Sequence, residues 1–322
     1  MAGPFRIGLL GASRIAPPAV IEPARDNPDF VVTVVAARDP ARARAYADEH
    51  GIAGVAADYA GLVSHPDVDV VYNALPPSGH LEWTLAALKA GKAVLCEKPF
   101  AMNAGEARTM VDAARAAGRP LLEAGHYRFH DVLRAAEAMM RAGALGRITA
   151  AEADFSVPIA RTPDELRWRA DLGGGGLMDL GFYPIHGLRT LLGAEPAVVS
   201  AEGVFEDGVD SSIAARLDFA GVPATVSCAM TPPRPSARVS ITGERGSLEI
   251  LNFVAPQAGC RFRTVIDGVE TTHPVGGPST YAAQLAHLAQ VLRGEAAPLT
   301  GGEDAVANMA AIDAIYAAAG RG

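Results

Sequence analysis

The sequence predicts an α/β fold in two parts. An N-terminal doubly wound parallel sheet is followed by an α+β part built on a large, mostly antiparallel open sheet. Three observations carry that expectation. Up to about residue 122, short apolar runs without strict alternation recur between helical patterns, as strands buried on both faces do. The helices between those runs have legible ends. From about Gly146 the pattern becomes an alternation of apolar and polar residues, the mark of half-exposed antiparallel strands.

Taken in order, Phe5 to Leu10, Val31 to Ala37, Val68 to Ala74 and Ala93 to Cys96 are the predicted parallel strands. Asp39 ahead of Pro40 reads as an N-cap with proline at the first helical position, opening a helix through Arg44 to about Glu49. Asn103 and Glu106 have capping-box spacing, and Gly118 ends the helix they open. Repeated strand–helix units imply the doubly wound sheet. Further on, Val209, Ile213, Leu217 and Phe219 share one face of a strand, and Asp210, Arg216 and Asp218 share its polar face. Asp207-Gly208 and Gly243 to Gly246 mark hairpin turns. Tyr281 to Leu292 and a segment opened by Thr300 with Glu303 close the chain as helices. The expected division is 1–125 for nucleotide binding and 126–322 for substrate binding and oligomerisation.

Composition narrows the function. With 322 residues, 49% hydrophobic and 20% charged, the chain has ample length for two cores. A net charge of −8 argues against nucleic acid or a membrane surface as partner, since both require a basic face. Cys96, Cys228 and Cys260 are odd in number and scattered, and no pair has zinc-ligand spacing, so neither a disulfide framework nor a metal site is expected. Arg6 and Arg14 interrupt the first apolar stretch, which is therefore not read as a signal peptide. No window approaches 18 consecutive apolar residues. A cytoplasmic location is expected.

The chemistry begins at the first strand–helix junction. In Gly8-Leu-Leu-Gly11-Ala-Ser13-Arg14-Ile15-Ala16, Gly11 suits the tight turn and Ala16 the close helix–strand packing of a Rossmann fingerprint. Ser13 stands where the second fingerprint glycine would be. Backbone N–H groups at such a helix start face phosphates. At the end of the second strand, Ala37 leaves the usual acidic position empty and Arg38 supplies a cation, which favours NADP over NAD; a solvated surface arginine is the plainer reading. Glu97-Lys98-Pro99 follows the strand Ala93 to Cys96, at the carboxyl end where ligands bind in parallel sheets. Proline after lysine fixes an extended conformation and permits a cis bond.

Together these segments resemble the Gfo/Idh/MocA oxidoreductases. The resemblance rests on Arg38 after Val-Ala-Ala, on Gly91 to Pro99 with its Glu97-Lys98-Pro99, and on Glu123 to His130. It continues through Trp168-Arg169, through Gly173-Gly-Gly-Gly-Leu-Met-Asp179 to Tyr183-Pro-Ile-His186, and on to Asp304-Ala-Val-Ala-Asn308. The chain looks nearest to the branch with dimeric dihydrodiol dehydrogenase and NADP-dependent xylose dehydrogenases. The resemblance implies Lys98 as the catalytic lysine and Asp179 as a substrate contact. Tyr183 stands where many members have an acid–base histidine. His186 and Arg128 are implied on the substrate side. Gly11, Ser13, Arg14, Ile15, Arg38, Leu75, Pro76, His80, Glu97, Lys98 and Arg169 are implied for the cofactor, NADP(H) ahead of NAD(H). His126 stands where many relatives have methionine. A homodimer or larger homo-oligomer, packing sheet to sheet, is also implied.

The expected activity is hydride transfer between nicotinamide and a small carbonyl or alcohol, a sugar or diol foremost. Free tyrosine and lysine titrate near ~10 and ~10.4, so either exchanges protons near neutrality only where its surroundings favour the deprotonated form. A neighbouring ammonium does this for a phenol. Tyr183 is accordingly expected to transfer the proton, with Lys98 tuning it and polarising the substrate oxygen, and Asp179 orienting hydroxyls. Lys98 as the proton donor, a non-sugar carbonyl or imine substrate, and a non-catalytic NADP(H) sensor remain the alternatives. Gly173 to Gly176 also reads as a flexible loop, and His186 alone as a core histidine.

Overall fold

The computed structural model describes residues 3–320. The chain packs as two compact units: the residues up to His126 together with Tyr281–Val306, and Tyr127–Thr280 together with the residues from Ala307 on. The sequence placed all of 126–322 in one domain. By packing, residues 281–306 belong with the first unit, because Leu285, Leu288, Ala289 and Val291 lie in its core.

The first unit is a six-stranded parallel sheet built from β1 (Phe5–Leu10), β2 (Phe30–Ala36), β3 (Gly54–Val55), β4 (Val70–Asn73), β5 (Ala93–Cys96) and β6 (Leu121–Glu123), in the order β3-β2-β1-β4-β5-β6. Its helices are α1 (Glu22–Arg25), α2 (Pro40–His50), α3 (Tyr59–Val63), α4 (His80–Lys89) and α5 (Ala104–Ala117). All residues of β4, β5 and β6 are buried, as continuous apolar runs in a covered sheet should be. Asp39 accepts the N–H of Ala41 at 2.9 Å and opens α2. Asn103 accepts the N–H of Glu106 at 2.9 Å, and Gly118 closes α5 in the left-handed region at φ 60°. Glu106 reaches back to the N–H of Met102 at 3.1 Å, one residue earlier than a capping box implies.

The second unit holds α6 (Asp131–Arg141) and an eight-stranded sheet. Its strands are β7 (Ile148–Ser156), β8 (Ala197–Glu206), β9 (Val209–Phe219), β10 (Val222–Ala229), β11 (Ser236–Gly243), β12 (Gly246–Leu251), β13 (Arg261–Ile266) and β14 (Val269–His273). Their order is β14-β13-β12-β11-β7-β10-β9-β8, antiparallel throughout except for the parallel pair β7 and β10. Helix α7 (Phe182–Leu192), between β7 and β8 in sequence, packs on β7, β10 and β11 and buries Phe182, Ile185 and Leu188. Asp207 (φ 52°) and Gly208 (φ 81°) form the two-residue turn from β8 to β9, both positive as a type I′ hairpin requires. Two helices complete the chain, α8 (Thr280–Leu292) and α9 (Gly302–Ala318). Thr300 does not cap α9; its hydroxyl donates to the carbonyl of Glu123 at 2.6 Å.

Asp210 departs from its expected place on a polar strand face, being fully buried. The alternation of β9 holds from Ile213 onward, whereas Val209 to Ser211 are all buried, so the period of two breaks at the start of the strand.

Asn103→Ala is expected to cost about 1 kcal/mol, the usual worth of an N-cap. It would be read as a lower urea midpoint at unchanged slope, with Asn103→Asp close to the native chain.

Candidate functional site

The implied residues fall into two groups, one in each unit. In the first unit they gather at the carboxyl ends of the parallel strands. Strand order reverses between β1 and β4, the switch point where open α/β sheets bind ligands. Gly11 leaves β1 at φ 93°, and a Cβ there would lie 3.3 Å from Leu75 in the loop after β4. Ser13 accepts the N–H of Ala16 at 3.2 Å, doing at this turn the work of a helix cap. A wide π-turn over Pro17–Ile21 then runs into α1 in place of a long helix. Two α2 side chains that sequence reading missed latch this loop: Arg42 donates to the carbonyl of Ala12 at 2.8 Å and Tyr46 to that of Ser13 at 2.9 Å. Arg14 and Arg38 are exposed, Ile15, Leu75 and Pro76 half-buried, and Ala37 buried.

Lys98 follows β5 and is half-buried, and the Lys98–Pro99 bond is cis. Its neighbours belong to the scaffold. The carboxylate of Glu97 accepts from the Tyr72 hydroxyl at 2.5 Å and from the Lys98 N–H at 3.2 Å. Burial pushes the Tyr72 phenol well upward, which keeps it a donor. His80 is fully buried, with Nδ1 3.0 Å from the carbonyl of Pro99 and Nε2 2.8 Å from that of Leu75. Its ring therefore lies between the β4 and β5 loops, and burial lowers its pKa and favours the neutral form, whose single N–H donates to one of the two carbonyls. His126 follows β6, the strand paired with β5, and its ring lies 4.2 Å from that of Tyr281.

In the second unit the glycine run is packed rather than loose. A Cβ at Gly174 would come within 2.6 Å of the Arg167 carbonyl and 2.7 Å of that of Leu166. Gly174 and Gly175 also donate their N–H groups to the carbonyls of Arg169 and Arg167, both at 2.9 Å. A π-turn over Leu177–Gly181 follows and leads into α7, so Asp179 and Tyr183 are carried by one continuous helical segment. Such wide turns concentrate at functional sites. The Tyr183 ring is boxed by Phe155, Phe182 and Tyr127 at centroid distances of 5.1, 5.2 and 5.5 Å. The Tyr127 hydroxyl lies 2.6 Å from Nδ1 of His186, whose ring stacks on Phe182.

Three arginines lie in ion pairs here. Asp179 accepts from Nε of Arg167 at 2.5 Å, and Nη1 of Arg167 donates to Glu165 at 2.9 Å. The charge of Asp179 raises Arg167 further above its ordinary value. Arg169, the arginine the sequence singled out, pairs with Asp171 at 2.7 Å near the surface. Arg128 is buried in an ion pair with Glu137 at 2.7 Å, and that bond accounts for its burial. Nothing in the spacing distinguished Arg167 from Arg169. Among the described residues no group of three or more His, Cys, Asp or Glu side chains is placed to hold a metal, and no helix is long and apolar enough to cross a membrane.

Comparison with known proteins covers nearly all of the chain. The profile "Oxidoreductase family, NAD-binding Rossmann fold" matches residues 5–125, and "GFO/IDH/MocA C-terminal domain" matches 133–249. D-xylose 1-dehydrogenase (NADP(+)) 2 of Haloferax volcanii is 33% identical over 319 residues, covering 98% of this chain and 97% of its own. Trans-1,2-dihydrobenzene-1,2-diol dehydrogenase of Mus musculus is 34% identical over 256 residues, covering 78% of this chain and 76% of its own. Among solved structures, a 3-ketoreductase from Actinomadura kijaniata in complex with NADP and TDP-benzene superimposes with a TM-score of 0.89 at 27% identity, covering 98% of each chain.

Burial, and after it the charge of Lys98, push His126 down to about 3. The folded chain thus keeps it neutral, whereas an unfolded chain protonates it near ~6.5. Its contribution to stability is complete above about 6.5 and is lost as pH falls from there, because the unfolded state binds the extra proton. Urea titrations across that acid range are expected to give His126→Met a shallower loss of stability than the native chain; equal slopes would remove His126 from this account.

Proposed function

This chain belongs to the Gfo/Idh/MocA oxidoreductase family, and from that premise we propose that it is an NADP(H)-dependent dehydrogenase or reductase acting on an alcohol or carbonyl carbon of a small sugar or diol. The observation that carries the reading is the loop pair at the switch point: Gly11 and Leu75 close together after β1 and β4, with Lys98 after the neighbouring β5. NADP is favoured by the end of β2, where buried Ala37 offers no carboxylate to a ribose and exposed Arg38 offers a cation. The relatives point the same way: one is a D-xylose 1-dehydrogenase (NADP(+)), another a dihydrobenzenediol dehydrogenase, and the ketoreductase was solved with NADP.

The cradle fits a dinucleotide. The backbone N–H groups of the loop between Gly11 and Ala16 would hold the pyrophosphate, and Arg38 the 2′-phosphate. When bound, the nicotinamide supplies or accepts the hydride. The chain's own task is to hold the substrate oxygen and move one proton. The Tyr183 hydroxyl takes that proton during oxidation and returns it during reduction. The Lys98 ammonium polarises the substrate oxygen. Asp179, oriented by Arg167, accepts from substrate hydroxyls. His186, held by Tyr127, lies one helical turn after Tyr183 and completes the substrate side. The chain works as a cytoplasmic homodimer or larger homo-oligomer. Its three cysteines are free, and the edge strand β8 exposes Val199 and Val204; light scattering reads the assembly directly.

Steady-state absorbance with NADP(H) and NAD(H), against aldoses, diols and dicarbonyls, tests the reading. Turnover with NADP(H) is expected to fall about 10²- to 10⁴-fold in Tyr183→Phe and Lys98→Met. Arg38→Ala is expected to weaken NADP(H) by about 10-fold or more, the worth of a charge-assisted hydrogen bond, and to leave NAD(H) alone. Near-native turnover in Tyr183→Phe would transfer the proton role to Lys98, and failure to bind either nucleotide would overturn the reading.

A further inference from the structure

We propose that Asp210 and Tyr316 form a positioning clasp that sets where the segment bearing Asp179 and Tyr183 begins, so that the C-terminal helix governs catalysis without touching the reactants. The inference rests on the roles given above to Asp179 and Tyr183.

Asp210 stands on β9 with no exposed surface. One carboxylate oxygen accepts the N–H of Leu177 at 2.6 Å, and the other accepts the Tyr316 hydroxyl, from α9, at 2.6 Å. Leu177 is the first residue of the π-turn, two positions before Asp179 and six before Tyr183. The backbone beside the clasp leaves no slack. A Cβ at Gly175 would lie 2.7 Å from the Tyr316 hydroxyl oxygen, and one at Gly176 would lie 3.2 Å from the Asp210 oxygen that accepts from Leu177. The glycines at 175 and 176 are therefore the complement of this pair.

The chemistry explains why a carboxylate is there. A buried carboxylate is costly unless donors surround it. At the first N–H groups of a helical segment it makes charge-assisted bonds and meets the positive end of the helix dipole. A π-turn takes up more residues per turn than the α-helix that follows it, so where it begins sets the rotation at which Asp179 is presented relative to Tyr183. Tyr316 holds Asp210 in the rotamer that reaches Leu177. Losing its hydroxyl leaves the turn formed and its starting point less strictly determined.

The test uses Tyr316→Phe, which removes one oxygen, and Asp210→Asn, which keeps an acceptor for Leu177 and loses the second one for Tyr316. In Tyr316→Phe, kcat with the best substrate is expected to fall about 10- to 100-fold, the cost of slight misplacement at a reacting centre. The pH profile of kcat/KM is expected to shift, while NADPH affinity, read by nicotinamide fluorescence, stays within about twofold of native. The double variant is expected to lose no more than the worse single one, as coupled residues do. Ile250→Val, in the core strand β12, checks that lowered stability alone leaves kcat unchanged. A Tyr316→Phe enzyme with lowered melting temperature but native kcat and pH profile would show a purely structural bond and overturn the clasp alone. Absence of turnover by the native chain with every substrate would overturn the oxidoreductase reading and the clasp with it. If Asp210→Asn does not fold, Tyr316→Phe still decides.

Discussion

A polar group withdrawn from water must find its partner inside the chain, and both units of this protein are organised by that requirement. In the first, the end of β5 buries Glu97 and the start of α4 buries His80. Tyr72 donates to Glu97, and the ring of His80 lies between the carbonyls of Leu75 and Pro99. Those bonds fix the two loops that flank Lys98. In the second, Asp210 is the buried anchor, and its two acceptor oxygens take a backbone N–H and a phenol. Leaving any such group unpaired costs about 1–3 kcal/mol, several times the worth of an average surface contact. These positions therefore tolerate change poorly and hold their surroundings in one arrangement.

The division between anchors and working groups follows from the same constraint. A buried residue whose ring lies against backbone carbonyls serves first to hold the loops that carry them, which is the condition of His80. Lys98, between a tied Glu97 and a tied Pro99 carbonyl, remains half-buried. Its neighbours' rigidity is what makes its position reproducible, and pre-set geometry rather than strength of contact is the larger part of catalytic power. Tyr183 receives equivalent treatment from apolar partners, since three aromatic rings confine its own ring and leave only rotation of the hydroxyl.

Much of this was legible in the sequence because local rules decide it. Strands β1 and β5 end where the apolar runs end, and Asp39, Asn103 and Gly118 cap the helices that their side chains and backbone freedom suit. What stayed hidden depends on partners distant in the chain. Asp210 looked like a solvated face residue because period-two alternation cannot register a tyrosine 106 positions later. Arg167 and Arg169 differ in sequence only by which side of Trp168 they occupy. Turn geometry gives the first to Asp179 and the second to Asp171. The glycine run was ambiguous for a similar reason, since only the carbonyls of Leu166 and Arg167 show that Gly174 lacks room for a side chain.

The preference for NADP illustrates how local charge overrides the global one. The chain carries a net charge of −8, which by itself repels a ligand bearing an extra phosphate. At physiological salt, however, charges beyond about 8 Å are largely screened, so only the groups near the end of β2 matter. The acid nearest that end, Asp39, has turned its carboxylate onto the N–H of Ala41 and serves as a cap. Ala37 contributes no charge, and Arg38 remains exposed beside it. A capping rule that concerns only helix stability thus consumes the one acid that could have favoured a free ribose hydroxyl. Under the proposed reading, the cation of Arg38 is then the group beside that end which meets the 2′-phosphate.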